Sequence, residues 1–209
     1  MKTGFGIPVI LASASPRRAD LMNQIRLDCY VEAPFSEEIV KPGELPKRLV
    51  ARLAKEKAVS VKDAVIRTYG EGLIISADTI VVAPDGKTIL GKPKGVKEAK
   101  SMLRLLAGRT HWVYTGYCIF HATKARQGRI LVRVVKSKVK MRKLSPLMIR
   151  RYVATGEPLD KAGSYGVQGM GTALVERIEG SYTNVVGLPM AEIVADLEKF
   201  NLKLFAWLK

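Results

Sequence analysis

LIISADTIVV, residues 73–82, is apolar on both of the faces that a strand would present. A strand with one solvated face alternates between apolar and polar residues. One covered on both faces reads as a near-continuous apolar run, as the inner strands of helix-flanked sheets do. The stretch therefore predicts a buried central strand, with only Ser76 and Asp78 interrupting one face. Asp78 needs a partner in that setting, because an unpaired carboxylate among apolar groups is costly or loses its charge. A metal ion, a lysine, or a catalytic task with a shifted pKa would each supply a reason. So would backbone N–H groups, if the carboxylate sits at a strand end.

Upstream, Val9 to Ser13 reads as a short apolar strand. Ser15 and Pro16 then form a helix start, followed by Leu21, Met22 and Ile25 at helical spacing. Arg17 and Arg18 fall in that first turn, at the positive end of the helix dipole. A cation is disfavoured there by roughly 0.3–1 kcal/mol. Bound phosphate would explain the placement; side chains turned into water would also tolerate it. LDCYVEA reads as a strand, and the loop PFSEEIVKPGELP carries Glu37 and Glu38. A helix is predicted over Pro46 to Ala58, with Leu49, Val50, Leu53 and Ala54 as its apolar stripe. Lys57 extends that stripe by one turn. A lysine near a helix C-terminus also suits the dipole, and its stem can snorkel.

Downstream, Asp85-Gly86 is a hairpin-turn signal, and ILGKPKG follows as strand end and loop, with Lys92 held between glycine and proline. A helix is predicted over Val96 to Leu106, stopping at Gly108. HWVYTGYCIFHA and RILVRVVKSKVKMRKL read as two long strands, a candidate antiparallel pair, joined by TKARQG. Ser145-Pro146 opens a helix to about Thr155, and the glycine-rich loop GEPLDKAGSYGVQGMG comes next. ALVERIE reads as a strand, and Pro189 opens a last helix to about Phe200. This alternation indicates an α/β fold with a mixed sheet.

A chain of 209 residues suits one domain, or one domain of two lobes. Its apolar runs fall short of the roughly 20 residues needed to span a membrane, and no secretion signal is read at the N-terminus. With two cysteines, Cys29 and Cys118, neither a disulfide framework nor a cysteine metal cage is suggested, and a cytoplasmic location is expected. The net charge of +16 attracts polyanions without choosing among nucleotides, nucleic acid and acidic lipid. DGKT lacks the first glycine of a P-loop, which would fall at Val81. His111 and His121, ten apart with no cysteine or acidic cluster nearby, do not make a zinc site.

Taken in order, VILAS, SASPRR, SADTIVV, GKPKG, EPLDKAGSYGVQG and VVGLP resemble the Maf family of nucleoside triphosphate pyrophosphatases, also called septum-formation inhibitors, over nearly the whole chain. The resemblance implies a single Maf-like domain over residues 1–209, with two lobes around a nucleotide-binding cleft. Its elongated mixed sheet would be flanked by helices, as in inosine triphosphate pyrophosphatases. It implies hydrolysis between the α- and β-phosphates, aided by Mg²⁺ or Mn²⁺, and SYGVQG looks like the branch acting on dTTP and UTP. A 7-methyl-GTP branch carries a different sequence at that loop.

By motif position, Asp78 resembles the proton acceptor, while Arg17, Thr79 and Gln168 match specificity positions. Ser13, Arg17 and Arg18 are expected to hold phosphate oxygens, Lys57 and Lys92 to neutralise the departing pyrophosphate, and Glu38 with Asp78 to hold the metal. A one-residue shift of the loop would exchange Glu38 with Glu37. A soluble homodimer is also expected. Two rivals belong to other classes. One is nucleic-acid binding through the stripe Lys136, Lys138, Lys140 and Arg142, disfavoured because few aromatics punctuate it. The other is a partner-binding regulator of cell division, for which the sequence offers no interface signature.

Overall fold

The computed structural model describes residues 6–36, 38–124, 128–203 and 205, so Glu37 and the middle of TKARQG lie outside the described residues. The elements run β1 (Val9–Ala12), α1 (Pro16–Gln24), β2 (Tyr30–Glu32), α2 (Pro46–Ser60), α3 (Lys62–Tyr69), β3 (Gly72–Val82), β4 (Ile89–Leu90), α4 (Val96–Leu106) and β5 (Thr110–Ala122). They continue with β6 (Ile130–Met141), α5 (Pro146–Ala154), β7 (Val175–Glu179), α6 (Tyr182–Val186) and α7 (Met190–Leu197). The strands form a mixed sheet in the order β2-β1-β3-β5-β6-β7, with β4 paired to β3.

β1 lies parallel to both β2 and β3, with Ala12 opposite Glu32 and Ser76. β3–β4 and β6–β7 are antiparallel. Backbone bonds from His121 N to Arg129 O and from Met141 N to Arg109 O show that β5 and β6 also run antiparallel. The α/β class and the central position of β3 follow the sequence reading. Ten of the eleven β3 residues are buried, Thr79 being half-buried.

The chain divides into two compact units. The first comprises Met1–Asp78, Thr115–Val134 and Gly187–Lys209; the second comprises Thr79–Tyr114 and Val135–Val186. In the first unit α2 and α3 close one face of the sheet, where Ala54, Ala58, Val61 and Val65 pack with Ile10, Ile74, Cys118 and Phe120. Each large aliphatic side chain buried this way contributes roughly 1.5–3 kcal/mol. The contact is close enough to dictate one residue: a Cβ on Gly116 of β5 would lie 2.2 Å from the Val50 carbonyl oxygen of α2. In the second unit α4 packs against α5 and against the tight turn Ala162–Ser164, with Leu103, Leu106, Ile149 and Val153 buried.

Local chemistry explains most boundaries and the differences from expectation. Pro16, Pro46 and Pro146 each occupy the first helical position, where the missing N–H costs nothing. The Asp85 carboxylate accepts the Lys87 and Thr88 N–H groups at 2.9 Å and closes the β3–β4 hairpin. α2 runs two residues beyond the expected Ala58, and α3 follows it where no helix was expected. α3 buries only Val65, so it has no apolar stripe to read. α6, with five residues, is too short for helical periodicity to show. The last helix begins after Pro189 and stops at Leu197, with a 3₁₀ turn over Glu198–Phe200.

Candidate active site

Three elements of the first unit converge on one ammonium group. Along β3 the side chains of Ser76 and Asp78 share a face, as strand periodicity requires. Both meet α2: the Ser76 hydroxyl donates to the Ala54 carbonyl at 2.6 Å, and Lys57 Nζ donates to Asp78 Oδ1 at 2.6 Å. Lys57 also donates to Glu38 Oε1 at 2.6 Å, which brings in the loop before α2. Lys57 and Asp78 are 6% and 4% exposed, so this is a buried ion pair. The Glu38 side chain remains half exposed. The partner that Asp78 required is therefore a lysine, and Lys57 does not snorkel.

Arg18 of α1 lies within the electrostatic reach of the same acids. Its Nη1 donates to Ser13 Oγ at 3.1 Å and its Nε donates to the Gly187 carbonyl at 2.7 Å. Burial pulls the Arg18 guanidinium below its ordinary pKa, while the Asp78 and Glu38 carboxylates pull it back up and Arg17 lowers it further. That response ties Arg18 electrostatically to both acids, so it is not a side chain simply turned into water.

Ser15 occupies the N-cap position of α1 without a side-chain bond to the helix, whereas the Ser145 hydroxyl accepts Met148 N–H at 3.2 Å. The two Ser-Pro starts are thus different devices. At the first, Ser13 Oγ takes the Ser15 N–H and an Arg18 N–H instead. Arg17 lies half-buried in the first turn of α1.

Arg52 and Glu44, which the sequence reading did not single out, hold the Glu38 loop in place. Arg52 Nε and Nη2 form a fork on Glu44 at 2.8 and 2.6 Å, and Nη2 also donates to the Ile39 carbonyl at 2.8 Å. The Arg52–Glu56 pair, spaced i,i+4 on α2, is the part of this arrangement a sequence can show. The reach to Glu44 and Ile39 has no such signal.

The second unit holds the other expected residues. Thr79 follows Asp78 on β3 and is half-buried, and Lys92 is exposed on the turn between β4 and α4. Gln168 is half-buried, immediately before the 3₁₀ turn Gly169–Leu174. The Gly163 N–H donates to the Gly91 carbonyl at 3.1 Å, joining the Gln168 loop to the turn that carries Lys92. The same loop rests on buried His111, whose Nε2 lies 2.7 Å from the Tyr165 hydroxyl. Burial pushes the His111 imidazole down to about 4, so it is neutral at physiological pH.

Among the described residues no three His, Cys, Asp or Glu side chains cluster for a metal. His111 lies in the second unit, while His121 Nε2 in the first is 3.2 Å from Glu71 Oε2. Glu38 and Asp78, however, direct one oxygen each at a single cationic point, the Lys57 ammonium. Two carboxylate oxygens converging on one cationic point are hard oxygen donors of the kind a divalent ion takes.

A family model described as Maf-like protein matches residues 8–200. A protein of Dictyoglomus thermophilum named dTTP/UTP pyrophosphatase is 44% identical over 196 residues, which cover 94% of this chain and 97% of that protein. A protein of the same name from Geobacter metallireducens is 48% identical over 189 residues, covering 90% and 94%. Among solved structures, the Staphylococcus aureus Ham1 protein aligns over 92% of this chain and 99% of its own, with 13% identity and a TM-score of 0.44.

Proposed function

The chain belongs to the Maf family, and from that membership together with the Glu38–Lys57–Asp78 cluster we propose that it hydrolyses dTTP and UTP to the monophosphate and pyrophosphate. The relatives' names support the substrate. The observation that carries the chemistry is an acid buried beside a lysine, with a second acid and two arginines on neighbouring elements.

In this reading Ser13, Arg17 and Arg18 hold phosphate oxygens at the start of α1, where backbone N–H groups and the helix dipole favour an anion. Asp78 takes a proton from the water that attacks the α-phosphorus, a role typically worth about 10²–10⁴-fold. The new bond joins water oxygen to the α-phosphorus. The bond to the bridging oxygen breaks, and its electron pair leaves with pyrophosphate. Lys57 and Lys92 offset the charge that accumulates there. Gln168, with both a donor and an acceptor, reads the pyrimidine edge alongside Thr79. Glu38 and Asp78 would hold Mg²⁺ or Mn²⁺, which when bound supplies further charge neutralisation at the phosphates. Among the described residues no helix is long and apolar enough to cross a membrane. We place the enzyme in the cytoplasm as a homodimer.

The test is pyrophosphate release from dTTP, UTP, CTP, GTP and 7-methyl-GTP with Mg²⁺ or Mn²⁺, for the natural chain beside Asp78→Asn. Turnover of dTTP and UTP that falls by about 10²-fold or more in the variant is expected. Preference for 7-methyl-GTP would reassign the branch. No turnover by folded protein would overturn the enzymatic reading.

A further inference from the structure

We propose that Glu157 and Tyr152 are positioning residues that fix the segment bearing Gln168 and thereby set nucleotide selectivity; this rests on the base-reading role given to Gln168 above. Glu157 follows α5 at the first position of its own tight turn, Glu157–Asp160. Its carboxylate reaches across the glycine-rich loop. Oε2 accepts the Met170 N–H at 2.9 Å, while Oε1 accepts the Gly171 N–H at 2.9 Å and the Tyr152 hydroxyl at 2.9 Å. The Tyr152 hydroxyl in turn accepts the Gly166 N–H at 3.2 Å. One carboxylate and one phenol thus hold backbone donors on both sides of Gln168, two residues before it and two and three after.

The electrostatics agree with a fixed acceptor. Burial alone would raise the Glu157 carboxyl. The Gly171 and Met170 N–H groups and the Tyr152 hydroxyl outweigh burial and hold it below the usual carboxylate range. Burial, reinforced by the hydrogen bond to Glu157 and opposed by the Gly166 N–H, pushes the Tyr152 phenol well above its ordinary value and keeps it a donor to the acid. The backbone is shaped to the same end. Gly169 takes φ +66°, and a Cβ there would lie 2.9 Å from Glu157 Oε2. A Cβ on Gly171 would lie 2.3 Å from the Gly166 carbonyl oxygen and 2.6 Å from the Tyr152 hydroxyl.

Among the described residues the Gln168 amide has no hydrogen-bond partner. The amide is left to read a ligand while its backbone is held on either side. An amide fixed in this way distinguishes bases by the geometry of its donor and acceptor, and loosening its backbone removes the penalty for a mismatched edge.

The experiment compares Glu157→Gln, Glu157→Asp and Tyr152→Phe with the natural chain. It measures kcat and KM for dTTP, dCTP and dGTP, and amide hydrogen exchange over residues 166–171. For Glu157→Gln, about a tenfold or greater fall in the dTTP-to-dCTP ratio of kcat/KM is expected, arising mainly in KM for dTTP, with faster exchange confined to that segment. Tyr152→Phe should show the same pattern more weakly, and Glu157→Asp should recover part of the ratio. Ratios within twofold of the natural chain in Glu157→Gln, while that chain turns over dTTP normally, would overturn the positioning role alone. A kcat loss equal for every nucleotide would also overturn it. A natural chain that turns over none of the nucleotides overturns the selectivity role through the reading it rests on, before any variant is made.

Discussion

At the scale of single residues, the molecule places charge where solvent is scarce and neutral polar groups where charge would be ruinous. Lys57 illustrates the first: removing one partner of such a buried pair leaves an uncompensated charge, typically at a cost of about 3–5 kcal/mol. His111 illustrates the second. It is fully buried in the second unit, its Nε2 bonded to the Tyr165 hydroxyl, and burial holds it down to about 4. An unfolded histidine titrates near 6.5, so between these values the unfolded chain binds the extra proton. Stability contributed by neutral His111 is therefore present above about pH 6.5 and lost as pH falls toward 4, by up to about 3 kcal/mol. Urea midpoints measured from pH 7 to 4.5 should fall less steeply in His111→Gln than in the natural chain; parallel slopes would refute the assignment. Legibility at this scale divides along physical lines. Asp78 is readable because a lone acid in LIISADTIVV violates the apolar pattern, and Lys57 because a lysine extends a core stripe. The convergence of Glu38 on the same ammonium is not readable, since nothing periodic in PFSEEIVKPGELP fixes where its carboxylate points. Glu157 stands inside a recognisable motif, yet its three hydrogen bonds depend on how a glycine-rich loop folds back, which spacing does not specify.

At the scale of elements, helix α2 both closes the core and anchors the loop that delivers Glu38. Its buried stripe, Leu49, Val50, Leu53, Ala54 and Lys57, is legible from helical spacing alone. Its polar work lies on another face, where Arg52 binds Glu44 and the Ile39 carbonyl. The side-chain bond to Glu44 is the largest influence raising the Arg52 pKa, well above the ordinary guanidinium value, and the same pair lowers the Glu44 carboxyl. Arg52 is one-fifth exposed and Glu44 less so, and a forked guanidinium fixes the carboxylate in direction as well as distance. Arg52→Lys keeps the charge but loses the fork. If Glu38 holds a metal as proposed, activity with dTTP is expected to fall by roughly 10–100-fold in Arg52→Lys, the size of effect that outer partners of ligating groups commonly show. The loop over residues 38–44 should become more open to proteolysis while the thermal midpoint changes little. Full activity together with an unchanged cleavage pattern would remove Arg52 from any role in placing Glu38. The same contrast between spacing and reach explains the other elements. Pro16, Pro46 and Pro146 announce their helices, while α3, with a single buried residue, and α6, with five residues in all, lack the repeat that would announce them.

At the scale of the whole molecule, the excess of 35 basic over 19 acidic residues has to be separated into cations already engaged and the field that remains. Composition predicts attraction to anions but not which anion, and the basic stripe of β6 was the feature pointing toward nucleic acid. In the folded second unit the cations of that stripe have local partners: Lys138 pairs with Glu179, Lys140 donates to the Gly108 carbonyl, and Arg142 donates to the Ala173 carbonyl. Lys136 Nζ lies over the Trp112 and Tyr114 rings at 5.1 and 5.3 Å from their centres, so the faces of these two aromatics already meet a cation. What remains is a net field suited to drawing in a small, highly charged substrate. Such steering acts on encounter and is screened by salt, whereas chemistry within a bound complex is not. Raising ionic strength from about 20 to about 300 mM at saturating metal should therefore lower kcat/KM for dTTP several-fold while leaving kcat nearly constant. If encounter were indifferent to the field, kcat/KM would stay flat over that range. Were the stripe a nucleic-acid surface, single-stranded DNA would inhibit with an affinity that grows with length and collapses with salt. Inhibition by short and long strands alike, no stronger than by the equivalent concentration of free nucleotide, is the outcome the engaged lysines predict.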